Sequence, residues 1–377
     1  MLADARMTVL GVILFLLSLP VLFWTVYLAV LTVLSKRPPE PEYGPPKLRF
    51  AVIIPAHDEQ EKIEATVRSL ALLDWPQELF HIVVVADNCT DHTADRALHA
   101  GAAVLVRNDP NHRGKGRALR FAFDTLMEGD DAPDAFVVID ADTTAAPNLL
   151  RALAAHLESG EVAVQAEYSV RNPEGSWRAR LMVIALALFH AVRSLARERL
   201  RVSVGLRGNG MALSTKVLRE VPHDAAVVED LEYGIRLGRA GHRVAYAHDG
   251  LVLGEMVSRP WDFRRLHIAR AHIIPLLREA AEKKSKLLLD LALDLMVPSL
   301  SIIATAALVG AILSVALTSW AWIPWMLALG CIAVYVVRGV VVSGAGWRGL
   351  LDLAYAPIYV GWKLTLPFTK RRARHAR

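Results

Sequence analysis

The sequence predicts an α/β domain with a mostly parallel sheet, flanked by transmembrane and interfacial helices. Three observations lead there. Short, near-continuous apolar runs alternate with helix-like segments through the middle of the chain, the pattern of parallel strands covered on both faces. Uncharged runs long enough to cross a bilayer lie near both ends. Between them, acidic residues recur where the apolar runs stop.

The 377 residues carry a net charge of +5 and are 54% hydrophobic, above the roughly 45–50% usual for soluble domains. The excess collects at the ends. Residues 7–34 contain no charged side chain and are long enough to span. They read as an N-terminal transmembrane helix, because the apolar core is too long for a cleaved signal peptide and no small-x-small site follows. Residues 35–48, including "KRPPEPEYGPP", form a Pro-rich, semi-rigid and exposed linker. The polar domain then occupies 49–260.

Within it the expected strands are 49–56, 81–87, 102–108, 135–140 and 161–170. Helix patterns lie between them, two ending at Gly101 and Gly129 as helix C-termini favour. The stretch 176–200 is too charged at its ends to span comfortably. It reads as an interfacial helix with snorkelling arginines along which a lipid acceptor enters, or as a helix packed on the domain.

Residues 261–287 form an expected interfacial helix region. Residues 288–317 and 319–342 are expected transmembrane helices, with Trp320, Trp322 and Trp325 marking the lipid interface. Residues 346–368 are a re-entrant, interfacial or transmembrane segment, interrupted by Asp352, Lys363, Pro357 and Pro367, and 369–377 form a basic tail. Cations after the first span and in the tail place both on the cytoplasmic side. The expected location is a multi-pass cell (inner or plasma) membrane protein with its catalytic domain in the cytoplasm.

Cys89 and Cys331 show neither disulfide nor metal-ligand spacing. The positive charge suits anionic lipid. No nucleic-acid motif accompanies it, and the large polar domain with few spans argues against a transporter.

In parallel α/β sheets ligands bind at the C-terminal strand ends. The rule puts Asp58, Asp87, Asp140 and Asp142 on one rim. Helix capping accounts for Asp58 and Asp91, but no helix begins at Asp140 or Asp142. Two carboxylates one residue apart at a buried strand end suit a hard cation, Mg²⁺ or Mn²⁺, shared with substrate phosphates. The loop "NHRGKGRAL" brings Arg113, Lys115 and Arg117 to the same side. Glu229-Asp230 opens a later helix, and Asp230 is a candidate general base. His248 is a candidate third metal ligand.

The ordered set "VIIPAHDE", "VVVADNCTDHT", "RGKGRAL", "VVIDADT", "GLRGNGMAL" and "VVEDLEYGIRL" resembles a membrane-bound family 2 glycosyltransferase. That group includes the cellulose, chitin and hyaluronan synthases and their non-processive relatives. The resemblance covers residue 49 to about 275 and the flanking spans. It implies a GT-A type nucleotide-sugar-binding domain and an inverting transfer from a UDP-sugar. By motif, Asp58, Glu59 and Asp87 belong to the nucleotide end, Lys115 faces the nucleotide or its phosphates, Asp140 contacts the donor and Asp142 ligates the metal. Asp230 is the implied base. Gly208, Asn209, Gly210 and Met211, with Glu229, line the acceptor side.

Processive synthases of the group carry Gln-x-x-Arg-Trp after the Glu-Asp pair. Here Arg264, His267 and Ile268 occupy the three positions. The missing Trp platform favours one sugar per lipid or lipid-linked acceptor. Rival readings are a processive polysaccharide synthase and a membrane nucleotidyltransferase or nucleotide-sugar-binding scaffold on the same fold.

Overall fold

The computed structural model describes residues 2–39, 41–129, 131–171, 176–223, 229–254, 263–317 and 320–357; of residues 2–8, 229 and 263–269 it describes the backbone alone. The expected basic tail and the latter part of the last segment, residues 358–377 together, lie outside the described residues.

In chain order the strands are β1 Phe50–Ala56, β2 Phe80–Asp87, β3 Ala103–Arg107, β4 Ala135–Val138, β5 Thr144–Ala145, β6 Ala163–Val170, β7 Met211–Ser214 and β8 Ala245–Gly254. The helices are α1 Leu2–Leu34, α2 Ile63–Leu70, α3 Thr93–His99, α4 Lys115–Met127, α5 Leu149–Glu158, α6 Trp177–Leu186, α7 Arg193–Arg199, α8 Thr215–Glu220, α9 Glu229–Arg239, α10 Phe263–Lys283, α11 Lys286–Met296, α12 Leu300–Ala316, α13 Trp322–Ser343 and α14 Gly346–Asp352. The chain divides into two compact units, one of residues 37–172 and 197–295, the other of 1–36, 173–196 and 296–377.

The first unit is built on one eight-stranded sheet in the order β3-β2-β1-β4-β7-β6-β8-β5. β3, β2, β1 and β4 run parallel, as do β6 and β8. The four expected strands on the N-terminal side all form; the apolar runs of β1, β2 and β4 are largely buried on both faces, and β3 is the partly exposed edge. β7 was not expected. It is antiparallel to both β4 and β6 and joins the two parallel blocks. Four residues between a glycine loop and a helix cap are too few to show a period. β5, two residues long and antiparallel to β8, escaped for the same reason.

Between Ala247 and Leu251, β8 departs from the ladder. Ala166 pairs with Ala247, but Glu167 pairs with Leu251. His248, Asp249 and Gly250 form a bulge. Asp249 is almost fully buried there, and Tyr43 donates a 2.5 Å hydrogen bond to its Oδ2. Asn148 Nδ2 donates to the Asp249 carbonyl at 2.9 Å and to the Tyr43 hydroxyl at 3.3 Å. Upstream, Arg37 holds both Glu167 oxygens at 3.0 Å, and Trp75 Nε1 donates to the Leu48 carbonyl. The expected exposed spacer is therefore seated on the sheet unit at several points.

α10 and α11 also belong to this unit. Leu276, Ala280, Leu288, Leu291 and Ala292 pack with Ile235 of α9. Arg197, 2% exposed, is held by Asp290 and Asp294 of α11.

The second unit is helical. Leu28 of α1, Ile184 of α6, Ile303 and Ala307 of α12, and Ala328, Ile332 and Tyr335 of α13 form its core. Residues 176–196 join this core rather than the sheet, outside the unit that holds the rest of the described part of 49–260. Trp177–Arg199, expected to lie in the interface, is long and apolar enough to cross a membrane, and much of it is buried by protein. A π-helical turn, Ala187–Val192, links α6 to α7. The Tyr335 hydroxyl donates to the Leu188 carbonyl in that turn at 2.8 Å. Gly339 lies against Leu188, where a Cβ would approach to 2.5 Å.

The expected span 288–317 is not one helix. α11 ends at Met296 and α12 starts at Leu300. Pro298 at the break cannot supply the N–H that a continuous helix needs there. Among the described residues, three helices meet the length and composition for a span, or four if α11 and α12 count as one.

Replacing Tyr43 by Phe leaves the buried Asp249 without its hydroxyl donor. The expected loss is about 1–3 kcal/mol, read as a lower Tm of the purified protein. A Tm equal to wild type would show that the linker contact does not contribute.

Candidate active site

The ends of β1, β2 and β4 open onto one rim; Asp87 ends β2, and Asp58 and Asp140 follow β1 and β4. After β1, Asp58 adopts a left-handed backbone with φ of 54°. After β2, Asn88 does the same at 53°. Asp and Asn tolerate this conformation better than other non-glycine residues.

Asp58 accepts a 2.7 Å hydrogen bond from the Thr90 backbone N–H, so the β1 and β2 turns are tied together. It does not cap α2, whose N-cap is Lys62 without a side-chain bond. The backbone N–H of Glu59 donates to Thr93 Oγ1 at 2.8 Å. Asp91 accepts from the N–H groups of Thr93 at 2.9 Å and Gln60 at 3.1 Å. Burial works against its charge, but these bonds outweigh it and hold the carboxyl below its ordinary range.

Asp87 is buried. Its Oδ1 accepts from Arg107 Nη1 at 2.6 Å and from Asn88 Nδ2 at 2.9 Å. Arg107 also reaches Asp109 at 2.9 Å. Asp87 takes the expected rim position; its partner Arg107 carries no signal in the sequence and looks like an ordinary strand-end arginine until β3 pairs beside β2.

Lys115 is the first residue of α4. Its ammonium donates to Asp140 Oδ1 and to the Gly208 carbonyl at 2.5 Å. A cation was needed to let Asp140 and Asp142 lie so close, and Lys115 supplies it at Asp140. The Asp142 carboxylate has no cationic partner among the described residues. Its neighbour is the Thr143 hydroxyl at 3.5 Å, while the Asp142 main-chain carbonyl accepts from Arg171 Nη2 at 3.0 Å.

The loop 207–210 closes the site from the other side. Gly208 and Gly210 have φ of 77° and 66°. A Cβ on Gly208 would lie 3.4 Å from Lys115 Nζ and 3.8 Å from Asp230 Oδ2, and one on Gly210 only 2.7 Å from Val252 Cγ2. The bare Gly208 therefore sits between Lys115 and the Asp230 carboxylate at the start of α9. Asp230 Oδ1 accepts from the Leu231 N–H at 2.8 Å. Asn209, buried, accepts from the Asp140 backbone N–H at 3.2 Å and donates to Thr143 Oγ1 at 2.9 Å. Met211 starts β7, paired with Val138 and Gln165.

Five of the expected residues thus meet directly, Lys115, Asp140, Gly208, Asn209 and Asp230, and Asp142 follows Asp140 on the turn that Asn209 holds through Thr143. The side chains of Glu229, Arg264 and His267 lie outside the described residues; the last two positions are on α10. His248 faces Asp249 in the bulge, Nδ1 to Oδ1 3.8 Å, and does not join Asp142 in a three-ligand group among the described residues. The one such group is Asp58, Cys89 and Asp91. Its carboxylates are engaged by backbone N–H groups, and burial, with the charges of Asp91 and Asp58, pushes the Cys89 thiol up. A protonated thiol is a poor metal ligand, so this is a hydrogen-bonded turn.

A curled, mixed sheet with acidic residues on the rim of its parallel half, closed by a glycine loop and a late helix, defines a GT-A type fold. A family model for glycosyltransferase like family 2 matches residues 45–271, more than half of the chain, and the chain belongs to that family. A probable glycosyltransferase, YdaM of Bacillus subtilis (strain 168), is 25% identical over 208 residues, 52% of this chain and 48% of the relative. Probable glucomannan 4-beta-mannosyltransferase 10 of Arabidopsis thaliana is 24% identical over 224 residues, 56% of this chain and 40% of the relative. The chain spans about half or less of the length of these relatives. Among solved structures, the mannosyltransferase PcManGT from Pyrobaculum calidifontis in complex with GDP-Man and Mn²⁺ matches over 87% of this chain and 98% of that chain. Its TM-score is 0.56 at 17% identity.

Arg107→Met leaves Asp87 charged, buried and without its guanidinium. The expected cost is about 3–5 kcal/mol, measured by equilibrium unfolding. A loss below about 1 kcal/mol, the range of exposed pairs, would show that Asn88 alone suffices.

Proposed function

We propose that this chain is an inverting, metal-dependent membrane glycosyltransferase that moves a single sugar from a UDP-sugar to a lipid or lipid-linked acceptor. Family membership supports glycosyl transfer as the reaction class. The observation that carries the reading is the convergence of Lys115, Asp140, Gly208 and Asp230, next to an Asp142 carboxylate that has no cationic partner among the described residues.

The donor set fits a hard divalent cation. Asp140 is neutralised by Lys115, while the oxygens of Asp142 stay available on a partly exposed strand end. Mg²⁺ and Mn²⁺ take such ligands and keep room for phosphate oxygens. When bound, the ion would offset charge building on the diphosphate leaving group. Asp142 would hold it, with Arg171 fixing the Asp142 backbone.

The chain's own residues supply the rest. Asp230, facing the gap left by Gly208, would accept the proton of the acceptor hydroxyl. Attack from the face opposite the diphosphate inverts the anomeric centre. Lys115 holds Asp140 against the donor and retains a third N–H for a phosphate oxygen. Asp58 and Asp87, at the ends of β1 and β2, would take the base and ribose. The apolar helices at both ends support placement at a cell membrane, with the sheet unit on the cytoplasmic face as the flanking cations imply.

A second reading of the donor is GDP-mannose. It is favoured by the mannosyltransferase relatives and by the GDP-Man in the structure of similar fold.

Purified protein, incubated with native lipid extract and a panel of UDP-sugars and GDP-mannose under Mg²⁺ or Mn²⁺, should give one lipid product one sugar heavier by mass spectrometry. A ladder of long chains would instead establish a processive synthase, and nucleotide-sugar binding without release of nucleoside diphosphate a scaffold. Asp230→Asn should lower transfer by about 10²–10⁴-fold, the range for a lost general base, with the fold intact by circular dichroism. Asp142→Asn should abolish the response to added metal. Unimpaired transfer by either variant removes that residue from its role.

A further inference from the structure

Gln165 is a fully buried amide in the middle of β6, between Met211 of β7 and Tyr246 of β8. Sequence reading gave it no role, because a lone Gln in "EVAVQAEYSV" only interrupts an apolar run. A buried amide is costly unless its donors and acceptor are satisfied. Here the amide is satisfied largely by one loop. Its Oε1 accepts from the Arg207 N–H at 3.0 Å. Its Nε2 donates to the Asn209 carbonyl at 2.8 Å and lies 3.3 Å from that of Gly210, with the Ala166 carbonyl at 3.1 Å. The same loop holds Lys115 through the Gly208 carbonyl, and holds the Asp140–Thr143 turn through both ends of the Asn209 amide.

We propose that Gln165 is a positioning residue for sugar transfer. It locks the acceptor-side loop 207–210 to the turn that carries Asp140 and Asp142, and so fixes Asp230's neighbour Gly208 relative to the donor. This deepens the proposed transferase reading and rests on it for its kinetic consequence. Gln165 touches no reacting atom. The nucleotide end, on β1 and β2, is held by separate bonds, those of Asp58 to Thr90 and of Asp87 to Arg107. Losing Gln165 should therefore uncouple transfer from nucleotide binding.

The first test needs no substrate. In the wild-type protein, hydrogen–deuterium exchange should show the Arg207 and Asp140 amides as slow as strand amides. In Gln165→Leu, exchange over 205–212 should rise at least ~10-fold and spread to 140–144, with 50–56 and 80–87 unchanged. Gln165→Glu keeps the acceptor for Arg207 but loses the donor to Asn209. It should loosen the loop on the Asn209 side, which a role in filling volume would not do. In the kinetic test, both variants should bind UDP or GDP within about threefold of wild type, while kcat for transfer falls by about 10²-fold, the cost of misplacing reacting groups by an ångström. Donor hydrolysis relative to transfer should rise.

Fast exchange at Arg207 in the wild type, or wild-type exchange and kcat in either folded variant, would overturn the proposal. So would a parallel loss of nucleotide binding. If wild-type protein transfers no sugar to any acceptor, the transferase reading fails, and the exchange pattern still decides whether Gln165 holds the loop.

Discussion

The pairing of Lys115 with Asp140 is the interaction on which the site depends. Strand β4 leaves a buried core and turns through Asp140 and Asp142 within three residues. Two carboxylates at that spacing repel each other unless one is neutralised. Lys115 neutralises Asp140 and at the same time donates to the Gly208 carbonyl. One ammonium thus joins the helix after the basic loop, the end of the parallel sheet and the glycine loop on the antiparallel side. The asymmetry it creates, one carboxylate paired and one available, is the electrostatic basis for giving Asp140 and Asp142 different roles.

The parallel half of the sheet was legible because burial on both faces writes continuous Val and Ile into β1, β2 and β4. The rim acids followed from the rule that ligands meet strand C-termini. What was not legible shares one cause: each depended on a partner distant in sequence. β7 is four residues long and stabilised by both neighbours rather than by its own pattern. Arg107, Arg171 and Gln165 are common residue types whose meaning lies in the carbonyl or carboxylate they reach across the fold. The linker looked exposed because its prolines and charges suit solvent, yet Tyr43 and Arg37 find buried acids more than 100 residues away.

Hydropathy shows 288–317 as one apolar run, and Pro298 divides it into α11 and α12, which together still meet the length and composition for a span. The charged ends of 176–200 count against a comfortable span, but Arg180 is paired with Asp352, its Nη2 3.1 Å from Oδ1, and Arg197 with Asp290 and Asp294. Partnered charges cost far less to bury than the composition of a single segment suggests.

The bulge of β8 has a consequence for how the chain tolerates change. Ala247 and Leu251 pair with consecutive residues of β6. Excising His248, Asp249 and Gly250 would therefore close β8 into an uninterrupted strand without shifting the register of anything beyond it, including Val252 against Gly210. None of these three residues pairs with β6. They behave as a graft, a socket inserted into a strand to receive Tyr43 and Asn148, and a shortened chain lacking them should keep the ladder while losing the seat of its linker.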